Sequence, residues 1–161
     1  IVDIALKALS PGVNDTSTAV SCLDYLSAIL CRLAPREIAS PFREKEGELR
    51  VIAATPEFAE FVARSFDEIR LCAAGNVTIL LHMLRALERI AFDTRDAARR
   101  ETLLLHARLV RDAGHQSVQA SYDRARVDAA LDRARETMRA TSVELPALPA
   151  NAAAPVAAGI R

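Results

Sequence analysis

Apolar residues recur along most of the chain at intervals of three and four, the period that gathers side chains on one stripe of an α-helix. In the first run, Ile1, Ile4, Ala5, Ala8 and Leu9 are apolar, and Asp3 stands four residues before Lys7 as a favourable surface pair. This run reads as the end of a helix over Ile1 to Leu9. Ser10-Pro11-Gly12 stops it, because the residue before proline is driven out of the helical region and glycine accepts a positive φ. Asn14 or Asp15 is placed to cap a second helix from about Asp15 to Leu33, whose Ala19, Leu23, Leu26, Leu30 and Leu33 step by four and three.

The period then breaks. Pro35 to Gly47 is polar, and Leu49-Arg50-Val51-Ile52-Ala53 is short and partly β-branched, so a hairpin or extended connector is expected near residues 40–53. Thr55-Pro56-Glu57 has the form of a helix start, with a capping Thr, Pro at the first position and an acid in the first turn. Phe58, Val62, Ser65 or Phe66, Ile69 and Cys72 form its inner stripe. Gly75-Asn76 ends that helix and caps the next, where Val77, Leu80, Leu81, Leu84, Leu87 and Ala91 make most of the circumference apolar and mark the central helix. Asp93 or Thr94 starts a longer helix through Leu103, Leu104, Ala107 and Val110, with Gly114 ending it or tolerated inside it. A last helix from about Ser121 carries Val127, Leu131, Ala134 and Met138.

The pattern predicts an all-α bundle of five to six helices over residues 1–140 and a disordered Ala/Pro-rich tail over 141–161. Composition agrees: of 161 residues 51% are hydrophobic and only 4% aromatic, with no Trp and five Gly, which disfavours a β-sandwich or barrel. Twenty-one basic residues balance 21 acidic ones, so no net charge draws nucleic acid, and no nucleic-acid partner is expected. Arg supplies nearly all the positive charge, a bias typical of high-GC bacterial coding. The richest apolar stretch, Val77 to Leu87, is broken by His82 and Arg85, so it does not reach the roughly 20 apolar residues of a membrane span. The chain opens inside an apolar pattern without an initiator Met, as a part of something longer would.

Candidate chemistry is sparse. There is no G-x-S-x-G, no phosphate loop and no H-E-x-x-H. Cys22, Cys31 and Cys72 lack C-x-x-C spacing and read as small apolar fillers on helix faces. His82, His106 and His115 fall on different faces without a metal-ligand spacing, and His82, in the most apolar helix, needs a partner if buried. The pattern calls for no catalytic residue, metal or cofactor. The densest polar feature is Ser10-Pro11-Gly12-Val13-Asn14-Asp15-Thr16-Ser17-Thr18 around one helix N-terminus, where Asn14 and Asp15 would occupy the free amides and disfavour an anion. It is either a capped, rigid corner or a polar pocket for a cation, a small polar ligand or a partner helix. Asp24 is the second candidate, flanked by Val20, Ser27, Ala28 and Cys31, with Arg32, Lys7 or Arg70 as partners. Asp67-Glu68-x-Arg70 and Arg99-Arg100-Glu101 read as solvated charge patterns.

The run Val2-Asp3-Ile4-Ala5-Leu6-Lys7-Ala8-Leu9-Ser10-Pro11-Gly12-Val13-Asn14-Asp15, followed by Thr18-Ala19, resembles the signature of a family of predicted bacterial membrane proteins, domain of unknown function 2254. Phe66-Asp67-Glu68-Ile69-Arg70 and the Leu-rich helix after it add to the likeness, which spans roughly residues 1 to 140. The resemblance implies several membrane-spanning helices before Ile1 and a soluble region of which this chain is the C-terminal helical part. It also implies signature residues Asp3, Ser10, Pro11, Gly12, Asn14, Asp15 and Thr18, to which Lys7 and Asp24 are added from their placement. Members usually carry Pro after the Asn-Asp pair, where this chain has Thr16.

Two functions are expected from these observations. The first is a non-enzymatic module on the cytoplasmic side of the cell membrane that assembles or regulates the membrane-spanning part of its parent, alone or as a homo-oligomer. The second is a ligand- or cation-sensing, less readily hydrolytic, domain built on the polar corner.

Overall fold

The computed structural model describes residues 1–39, 41–45 and 47–140. Six helices, α1 (Val2–Leu9), α2 (Thr16–Leu33), α3 (Phe58–Cys72), α4 (Val77–Phe92), α5 (Ala97–Ser117) and α6 (Ser121–Ala140), form an all-α bundle. A hairpin of β1 (Phe42–Lys45) and β2 (Glu48–Ile52) joins α2 to α3. Its strands are antiparallel, with Phe42 opposite Ile52 and Lys45 opposite Glu48, and the register shifts between Arg43 and Glu44. The expected tail over 141–161 lies outside the described residues.

Successive helices alternate in direction. Asn76 reaches Thr16 and His82 reaches Asp24, so α4 runs parallel to α2, and α3 runs the opposite way between them in the chain. As its apolar circumference predicts, α4 is the centre: it packs on α2, α5 and α6 and buries nine residues, among them Leu80, Leu84, Leu87 and Ile90. Each such side chain withdrawn from water contributes roughly 1.5–3 kcal/mol. Val127, Leu131, Ala134 and Met138 of α6 are all buried against this core. On the other side, α1 packs on both α2 and α3, and α2 and α3 touch each other only sparsely.

Several local expectations are corrected. The α3 helix begins two residues later than Thr55-Pro56 suggests: Glu57 is its N-cap, and the Glu57 amide donates to the Glu60 carboxylate at 3.5 Å. The Thr55 hydroxyl instead donates to the Ala53 carbonyl at 3.3 Å. Starting at Glu57 makes Phe58, which is buried, the first helical residue. The inner stripe leaves Ile69 by a step of four to the buried Ala73, so Cys72 is exposed.

Neither Asp93 nor Thr94 starts α5. The Thr94 hydroxyl donates to the Ile90 carbonyl at 2.6 Å and finishes the preceding helix, and Asp96 caps α5 by accepting from the Arg99 amide at 2.9 Å. Gly114 lies within α5, where a Cβ would stand 3.3 Å from Val127 Cγ1 and 3.5 Å from Leu80 Cδ1. The Arg99-Arg100 pair is not a solvated face. Arg99 donates to the carbonyls of Ala34 and Arg36, both at 2.7 Å, and lies over the Phe58 ring, whereas buried Arg100 donates to the Thr94 carbonyl at 3.1 Å. Carbonyls at the ends of α2 and α4 have no intrahelical donors, and these guanidinium groups supply them.

Candidate functional site

The corner between α1 and α2 is built largely from backbone bonds. Ser10 Oγ donates to the Lys7 carbonyl at 2.7 Å, and the amides of Val13 and Asn14 donate to the Ser10 carbonyl at 3.0 and 2.9 Å. The Asp15 amide donates across the corner to the Ala8 carbonyl at 2.8 Å. The positive φ that the turn requires is not at Gly12 but at Asn14, at 48°. Asn tolerates this left-handed conformation better than other residues with a side chain. Pro11, Gly12, Val13 and Asn14 are exposed, and a Cβ on Gly12 would meet nothing within 4 Å.

Of the two cap candidates, Asp15 takes the role. Its carboxylate accepts from Thr18 Oγ1 at 2.6 Å, Ser17 Oγ at 2.7 Å and the Thr18 amide at 3.1 Å. The Thr18 hydroxyl, then the Thr18 amide and the Ser17 hydroxyl, hold its pKa at about 2, because each bond favours the charged form. Next to it Asn76 caps α4, accepting from the Ile79 amide at 3.3 Å while its Nδ2 donates to Thr16 Oγ1 at 3.2 Å. The N-termini of α2 and α4 are thereby tied side by side.

The candidate residues do not all converge. Ser10, Asn14, Asp15 and Thr18 share the corner, with Pro11 and Gly12 on its exposed rim, whereas Asp3 and Lys7 present exposed side chains on α1. Asp24 lies further along α2, is 58% exposed at its side chain, and pairs with His82 at 2.8 Å rather than with Arg32, Lys7 or Arg70. The parallel run of α2 and α4 brings positions 24 and 82 level, which no local spacing reports. Arg70 pairs instead within its own helix, 3.7 Å from Asp67.

That pair belongs to a cluster which its charge pattern conceals. His106 of α5 is buried, and its Nδ1 lies 3.3 Å from Asp67 Oδ1. Burial pushes the His106 pKa down, and the Asp67 charge opposes the shift in part. Asp67 Oδ1 and Arg70 Nε are buried without a well-formed hydrogen bond, so this is an ionic contact in a half-dry seam and not a solvated face. His115 repeats the theme at the other side of α5, 2.8 Å from Asp128 of α6. Each histidine thus ties its helix to another through an aspartate. No group of three or more His, Cys, Asp or Glu positioned to hold a metal occurs among the described residues.

Residues 1–89, from α1 through most of α4, match the family model described as Predicted membrane protein (DUF2254). The chain belongs to this family. Similar relatives are the uncharacterised proteins Rv1290c and MT1328 of Mycobacterium tuberculosis and Mb1321c of Mycobacterium bovis. Each is 33% identical over 139 residues, covering 86% of this chain and 27% of the relative, so the chain spans about a quarter of the length of these relatives. No solved structure matches it. The corner and the His82–Asp24 pair fall inside the DUF2254 match, whereas α5 and α6 lie beyond it. No helix among the described residues is long and apolar enough to cross a membrane, so the family's membrane character is not carried by a helix described here.

Proposed function

We propose that this part of the DUF2254 protein is a non-catalytic module that assembles or regulates the membrane-spanning part of its parent through helix-face contacts, from the cytoplasmic side. The observation that supports this reading is the contrast between a polar corner whose carboxylate is already engaged and helix faces that expose large apolar groups. Asp15 meets three donors from its own turn, while Tyr25 and Ile29, one turn apart on α2, are 67% and 54% exposed. Exposed apolar groups clustered on one face are the usual mark of a contact surface. The test is deletion of residues 1–140 from the full-length protein, with the size of the detergent-extracted complex read by native electrophoresis. A smaller or heterogeneous complex is expected; an unchanged complex with unchanged activity of the membrane part would overturn the proposal.

A second reading, in which the corner senses a cation or small polar ligand, is favoured by the left-handed backbone at exposed Asn14, since such conformations gather at functional sites. A specific ligand would raise the melting temperature by mass action. A divalent-cation and metabolite screen that moves nothing eliminates it.

A further inference from the structure

The seam between α2 and α3 is filled by α1 along only part of its length. Beyond the N-terminal end of α1 the two helices remain apart and enclose an open groove of about 400 Å³. Its apolar wall is Ile29 and Leu33 of α2 and Phe61 of α3, with Ser65 beside them. Arg32 and Arg36 stand at its edge, both exposed, and among the described residues neither guanidinium has a carboxylate partner. The same two helices grip a helix, α1, immediately above, so the open length is a slot already shaped for one.

We propose that this groove receives an amphipathic helix of the same polypeptide, lying outside residues 1–161, which sets apolar side chains on Ile29, Leu33 and Phe61 and acidic ones against Arg32 and Arg36. Two unpaired guanidinium groups four residues apart select carboxylates at that edge, because a like charge would be repelled and an uncharged partner would leave both groups unmatched. The occupant is tethered. The seven residues that line the groove are far fewer than the roughly 20–30 a side that a stable free complex engages, whereas a linked segment binds at an effective concentration set by its linker. About three-quarters of each relative's length lies outside the matched region, which supplies the chain from which such a helix comes. The inference rests on the assembly reading above and names the face that carries it.

The test uses the full-length protein in detergent, with Ile29→Cys in the groove and Tyr122→Cys on α6 as an exposed control, and follows maleimide labelling residue by residue by mass spectrometry. Labelling at position 29 is expected to be at least ten-fold slower than at 122, although both are exposed in residues 1–140 alone. Arg32→Glu with Arg36→Glu should release that protection and leave position 122 unchanged. Concurrent labelling of buried Cys22 would reveal unfolding, in which case Arg32→Gln with Arg36→Gln replaces the reversal. Equal rates at 29 and 122 overturn the proposal, as does protection that vanishes on dilution, which marks a second copy, or on delipidation, which marks a lipid. If deletion of residues 1–140 disrupts the complex while position 29 is unprotected, the assembly reading stands and the groove does not carry it.

Discussion

His82 Nε2 lies 2.8 Å from Asp24 Oδ1 and joins α4 to α2 across 58 positions of sequence. Because the Asp24 side chain is more than half exposed, water screens the contact. A double-mutant cycle of His82→Ala and Asp24→Ala, read by urea unfolding at pH 7, should give a coupling of about 0.2–1 kcal/mol. A value several-fold larger would mean that the pair is a buried lock and not a surface tie.

The cap at Asp15 makes the corner sensitive to acid. Its native pKa of about 2 lies below the ordinary 3.8, so the folded state favours the ionised carboxylate. That contribution is complete above about pH 4 and disappears as pH falls through 2. Asp15→Asn should lower the urea midpoint at pH 7 and flatten the decline between pH 4 and 2. Parallel pH profiles for variant and wild type would contradict it.

Burial has the corresponding effect on His106. Its pKa is pushed below 6.5, so the unfolded chain binds the proton more readily. The stability it contributes is therefore complete above pH 6.5 and is lost as pH falls below that value. Imidazole NMR should show His106 titrating below 6.5. Asp67→Asn, which removes the charge that opposes the shift, should move that titration lower still.

The three thiols should react in a fixed order. Cys72 is exposed, Cys31 is half-buried with its pKa raised by burial and by Asp93, and Cys22 is buried. Since the thiolate is the nucleophile, iodoacetamide at pH 8 should modify Cys72 first, Cys31 more slowly and Cys22 only as the chain unfolds. Faster reaction at Cys31 than at Cys72 would contradict this environment.

At Gly114 the helices α4, α5 and α6 meet, with the Val127 and Leu80 side chains close to where a Cβ would stand. Gly114→Leu should destabilise the bundle by about 1–3 kcal/mol through overpacking, despite its better helix propensity. Thermal unfolding would register it as a fall in Tm.

The sequence is most legible where a property is local. The stripes Leu23-Leu26-Leu30 and Val127-Leu131-Ala134-Met138 mark their buried faces, and Gly75-Asn76 identifies a turn because its φ of 79° and its cap both follow from residue type. The corner is partly legible: Asp15 is one of two evident caps, but no local signal puts the positive φ at Asn14 in place of Gly12, just before the Asp15 amide bonds across the corner to the Ala8 carbonyl. Starts are misread where strong local signals compete, as when Thr94 is consumed by the carbonyl of Ile90 and the cap moves to Asp96. The histidine–aspartate ties are not legible, because only the relative direction and register of two helices bring 24 beside 82 or 67 beside 106.

The hairpin has a bearing on how such a protein can change. Its strands pair with each other, no strand–helix packing of comparable extent occurs among the described residues, all of β2 is exposed, and Arg99 fastens the end of α2 through other residues. No residue of β2 belongs to the buried core, so lengthening or exchanging Glu48–Ile52 leaves the packing of the six helices in place. This loop is a graft site, where new recognition can be acquired without renegotiating the fold.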